Sequence, residues 1–81
     1  MRQITDEQGR TWEVVAEKAV VAHRKQGARL GFRPADDPTA PVVLTPVEFN
    51  SDAAAEFAIN TMSEKELQRR LRWALTDAGV A

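Results

Sequence analysis

Eighty-one residues, with eleven Lys and Arg against twelve Asp and Glu, carry a net charge of −1, and 43% of them are hydrophobic. That excludes a disordered chain and a globally basic nucleic-acid binder, while leaving room for a local basic patch. There is no cysteine and one histidine, His23, so neither a disulfide nor a four-ligand zinc site offsets the thin core expected of so short a chain.

No apolar run approaches the ~18 residues of a membrane span, and MRQITDEQGR has no apolar signal segment. The sequence reads as one cytoplasmic domain over 1–81, with a β-sheet part over 1–46 and a helical part over 50–79. RQITDEQGRTWEVVAE reads as a hairpin. Ile4 and Thr5 form a short strand, and Asp6 to Gly9 form a turn in which Gly9 is free to take positive φ. Trp12, Val14 and Ala16 then alternate with Glu13, Val15 and Glu17. Lys18 falls in phase with Trp12 and breaks the pattern. Residues 13–24 therefore admit two readings: a strand carried through a bulge near Lys18, or a helix. A helix would scatter its valines round the whole circumference, and β-branched residues suit strands, so the strand is preferred.

HRKQG is a hydrophilic turn closed by Gly27. ARLGFRP follows as a strand, with Ala28, Leu30 and Phe32 on one face and Arg29 and Arg33 on the other. Gly31 within it marks a close approach by a neighbouring side chain such as Trp12. PADDPTAP holds three of the four prolines and is a loop. VVLT is a short apolar strand that Pro46 stops.

Asn50 or Ser51 caps a helix through DAAAEFAIN, in which Ala53, Ala54, Phe57 and Ala58 share a broad face and Phe49 can staple onto Ala54. Ser63 and Glu66 form a capping box ahead of a longer helix, which Gly79 closes. Strands first and helices last give an α+β fold: a small antiparallel meander of three to four strands, then one short and one longer C-terminal helix packed on one face.

The longer helix carries the features most suggestive of a partner. Leu67, Leu71, Ala74, Leu75 and Ala78 make an apolar stripe about 100° wide, enough to dock on a sheet. Arg69, Arg70, Arg72 and Trp73 lie off that stripe. Glu66 is placed to pair with Arg69 and Arg70, and Arg69 to lie on the Trp73 indole, while Arg72 has no acid within a turn. Met62, Trp73 and Val80 fall close together on the helical projection, edged by Arg69 and Arg70. Trp73 then either packs on the other helix or contacts another molecule, and Trp and Arg are the types most enriched in interface hot spots.

Catalysis finds little material. His23 sits in AHRKQG, flanked by positive charge with no carboxylate nearby, and reads as a solvated turn histidine. Asp36 and Asp37 read as turn formers rather than a cation loop. No phosphate-binding or metalloprotease motif is present. The opening DEQGRTW resembles that of short bacterial proteins, a likeness that transfers no residue. The leading expectation is a non-catalytic interaction or regulatory module without a cofactor, acting on a protein partner or on a second copy as a homodimer. Its surface is Met62, Arg69, Arg70, Trp73 and Val80. The alternative is a weak nucleic-acid binder, with His23, Arg24, Lys25 and Arg29 at a basic hairpin and Arg72 on the helix contacting phosphates. An enzyme or ligand carrier would need a pocket of at least ~300 Å³ with converging polar groups.

Overall fold

The computed structural model describes residues 2–20 and 26–77. Its elements are β1 (Arg2–Thr5), β2 (Thr11–Val20), β3 (Gln26–Pro34), β4 (Val43–Phe49), α1 (Asp52–Thr61) and α2 (Glu64–Asp77). The four strands form one antiparallel sheet in the order β1-β2-β3-β4, and both helices pack on it. This is the α+β meander that the sequence implies.

The first hairpin is organised by one carboxylate. Gln8 N–H and Arg10 N–H both donate to Asp6 Oδ1 at 2.9 Å, and Trp12 Nε1–H donates to Oδ2 at 2.9 Å. Gly9 closes the turn at φ +85°, in the left-handed region that favours glycine. β2 then pairs with β3 without interruption, Val14 opposite Phe32, Ala16 opposite Leu30 and Lys18 opposite Ala28. The strand reading holds over 12–20, and no bulge occurs at Lys18, which keeps register with its side chain exposed. Residues 21–25 lie outside the described residues.

The irregularity lies instead between β3 and β4, where the register shifts between Arg29 and Gly31. Pro46 does not stop the strand, contrary to expectation; β4 runs through it to Phe49. Proline cannot donate to a ladder, so a strand passing through it needs a bulge and a substitute donor. Thr45 supplies one. Its buried hydroxyl donates to Leu30 O at 2.8 Å and accepts from Val47 N–H at 3.1 Å.

The face formed by Ile4, Trp12, Val14, Leu30 and Phe32 is buried with Ile59, Leu67 and Leu71 of the helices. Ser51 caps α1 by accepting from Ala54 N–H at 3.1 Å. α1 docks through Ala55 and Ile59, not through the expected face of Ala53, Ala54, Phe57 and Ala58. Phe57 lies about 200° round the helix from both docking residues and is 71% exposed. Arg2 donates to Ile59 O at 3.0 Å, so a cation from β1 meets the carbonyl end of a helix with no basic residue in its last turn.

α2 begins where the capping box places it. Ser63 Oγ accepts from Glu66 N–H at 3.2 Å. Its buried residues are Leu67, Leu71 and Ala74, with Leu75 packed beside them, as the stripe implies. Gly79 and Ala78 lie outside the described residues.

Candidate functional site

On α2 the burial of the leucine stripe fixes what faces outward. Trp73 is 54% exposed, so it is not enclosed by α1. Two guanidinium groups stand over its ring, Arg69 at 5.6 Å and Arg70 at 5.8 Å from the centroid. Glu66 organises both: one carboxylate oxygen pairs with Arg69, and the other accepts from Arg70 Nε–H at 3.2 Å. The spacing i, i+3 and i, i+4 with the acid first made these pairs readable in advance.

Arg72 finds its acid across the fold, Nη1–H donating to Glu7 Oε1 at 2.9 Å. Gln68 Nε2–H donates to Thr5 O at 2.6 Å, and Thr5 N–H donates to Glu64 at 3.4 Å. These contacts stitch the polar edge of α2 to the end of β1 and the turn after it. Between that turn and the helix lies an open groove of about 300 Å³, floored by Leu71 and Leu75 and rimmed by Asp6, Glu7, Gln8, Gln68 and Arg72. A second shallow depression is lined by Ser63, Lys65, Glu66, Arg69 and Arg72.

Of the surface expected around Trp73, the structure brings Arg69 and Arg70 to the ring. Met62 packs against the core, partly buried, and Val80 lies outside the described residues. His23, Arg24 and Lys25 lie outside them too. Arg29 is separated from the helix arginines, because it points from the sheet face opposite the helices and pairs with Glu48 at 3.7 Å. That separation follows from the alternation itself: the helices cover the face holding Ala28, Leu30 and Phe32.

The open sheet face holds a further ion pair, Arg33 with Glu13 at 3.3 Å, and Glu13 is only 8% exposed. The neighbour of Gly31 is on this face as well. A Cβ there would come within 2.5 Å of Val42 Cγ1 and 3.3 Å of Leu44 Cδ2. The residue crowding Gly31 is therefore Val42, not Trp12, which lies on the buried face.

Two carboxyl groups depart from ordinary acidity, and both are turn formers. Asp6 is held below the usual range first by the Trp12 indole N–H, with the Arg10 and Gln8 amides adding to it, against an opposing effect of burial. Asp37 is held down by the hydroxyl and amide of Thr39, at 2.7 and 3.1 Å. Hydrogen bonds that favour the charged form leave these groups as fixed acceptors rather than proton donors near neutrality. Among the described residues, no group of three His, Cys, Asp or Glu side chains is placed to hold a metal ion. No helix there is long and apolar enough to cross a membrane. Comparison with protein-family models, curated proteins and solved structures returns no match for this chain.

Proposed function

We propose that the chain is a non-catalytic interaction module that presents the outer face of α2 to another protein. The observation that carries this reading is Trp73, more than half exposed on a regular helix whose apolar stripe is already satisfied elsewhere. The two guanidinium groups beside the indole are already paired with Glu66, so what this face offers is the apolar ring with an ordered polar rim rather than free positive charge. Arginine stacked on tryptophan is pre-ordered for such a contact, which lowers the entropy lost on docking. The groove over Leu71 and Leu75 lies on the other flank of α2 from the indole and takes no part in this contact.

Nucleic acid is less well supported. Each of the three arginines on α2 already has a carboxylate partner, and Arg29 lies on the other side of the sheet. Phosphate binding would have to displace those acids, and the residual charge gives weak, salt-sensitive affinity.

Affinity capture from the native cell tests the proposal, using the wild type, Trp73→Ala and the double variant Arg69→Glu/Arg70→Glu. A protein retained by the wild type and lost from both variants, with all three keeping native circular dichroism, supports it. A partner retained equally by all three refutes it. Retardation of mixed DNA or RNA at about 50 mM salt, where counterion release contributes most, would favour the nucleic-acid reading instead.

A further inference from the structure

We infer that the open face of the sheet is a self-association surface, on which a second copy of the chain packs face to face about a twofold axis parallel to the strands. Three rows cross this face. In the middle, Val15, Gly31 and Leu44 stand opposite one another on β2, β3 and β4. Leu44 is 44% exposed, and Val42 leans over the glycine. On one side of this row Glu13 opposes Arg33; on the other, Glu17 opposes Arg29, which opposes Glu48. An apolar centre between charged margins is the anatomy of a protein interface.

The order of the signs selects the occupant and its orientation. In both charged rows the acid is on β2 and the arginine on β3. A twofold axis lying in the interface and running between these strands exchanges them. Each Glu13 then faces Arg33 of the second copy, each Glu17 faces its Arg29, and each Val15 stands over its Gly31. An axis perpendicular to the strands would instead set Arg33 over Arg29 and Glu13 over Glu17, like upon like. One further observation favours docking here. Glu13 is already largely stripped of water in the single copy, which reduces the desolvation that pairing adds.

The footprint is small. The self-complementary part is the β2–β3 pair, two strands about 4.8 Å apart over five residues rising about 3.4 Å each, or roughly 10 by 17 Å. That is well below the ~800 Å² that a standard interface buries on each partner. The dimer is therefore one that dissociates on dilution. It uses the side of the sheet opposite α2, so it stands or falls independently of the function proposed above.

Sedimentation velocity from micromolar to millimolar protein at low salt tests the inference. The wild-type average mass should rise with concentration and fall back when salt is raised. Val15→Arg, which sets a third cation against Arg29 and Arg33 of the second copy, and Arg29→Glu should both stay monomeric with native circular dichroism. The exchange variant Glu17→Arg/Arg29→Glu should dimerise again, and Trp73→Ala should behave as wild type. If Arg29→Glu does not fold, Val15→Arg decides alone. A wild type that stays monomeric throughout, a dimer that survives Val15→Arg, or a dimer lost in Trp73→Ala overturns the proposal. So does an exchange variant that folds and remains monomeric.

Discussion

Asp6→Ala should be among the most destabilising changes available outside the core. An 81-residue chain has a total stability of about 4–12 kcal/mol at ~0.05–0.15 kcal/mol per residue. The substitution leaves the buried Trp12 indole N–H without its acceptor, a loss of about 1–3 kcal/mol. It also frees the Gln8 and Arg10 amides, which lie on exposed backbone and regain water, so each adds only roughly 0.5 kcal/mol. The sum, about 2–4 kcal/mol, lowers the thermal midpoint by roughly 10–30 °C in a domain of this size. Asp6→Asn keeps an acceptor oxygen and loses the charge, and should cost about 1 kcal/mol. Urea unfolding followed through Trp12 fluorescence, in a Trp73→Phe background that removes the second indole, measures both. A loss below ~0.5 kcal/mol for Asp6→Ala would show that the indole bond does not hold the hairpin.

The same carboxylate gives a pH signature. Its acidity in the folded chain is raised, that is, its pKa lies below the ordinary value of 3.8. A group with a depressed folded pKa stabilises fully above its unfolded pKa and loses that contribution as pH falls through the folded value. The difference in stability between wild type and Asp6→Asn should therefore be constant from neutrality down to about pH 5 and shrink below about pH 4. A difference that persists unchanged at lower pH would contradict the assignment.

Gly31→Ala should destabilise by about 1–2 kcal/mol in the same melts, because the new methyl meets the short, stiff Val42 side chain and its crowding exceeds the gain from restricting the unfolded chain. Thr45→Val should cost about 1–3 kcal/mol, since it leaves the Leu30 carbonyl and the Val47 amide without a partner on the bulge; a neutral result would mean that water replaces the hydroxyl. Trp73→Ala should cost about 1–2 kcal/mol, the two guanidinium contacts on its ring, and a larger loss would show that the indole belongs to the fold. Leu71→Ala, with its side chain fully buried, should remove about 2–5 kcal/mol and leave a chain close to its unfolding threshold by circular dichroism.

How far each element could be read depends on the range of the interactions that decide it. α2 was legible because its determinants are local: Ser63 caps the first turn, and Leu67, Leu71 and Ala74 recur at helical spacing. β3 was legible because strict alternation separates Leu30 and Phe32 from Arg29 and Arg33. Pro46 misled because its compensation is not local; the hydroxyl of Thr45 reaches a carbonyl fifteen residues earlier. α1 misled because four alanines carry almost no periodic signal, so one Ile59 decides which side faces the sheet. The acid for Arg72 lies sixty-five residues away in a turn, beyond any helical spacing rule. Within the candidate site, the Glu66, Arg69, Arg70 and Trp73 cluster was readable and the groove beneath Arg72 was not, because only the folded turn supplies its far wall.

The exposure of Trp73 follows from the number of layers. With one sheet and one layer of helices, each helix has a single covered face, and α2 spends that face on Leu67, Leu71 and Ala74. An indole on the far side has no second layer to enter. The chain covers it with guanidinium groups, each worth about 0.5–1 kcal/mol at an exposed site. Full burial of a large apolar side chain returns about 1.5–3 kcal/mol. Arginine stacking therefore recovers only part of what removal from water would give. The remainder would go to a molecule docking on this face, as proposed above, and Glu66 pairs with both arginines in its absence.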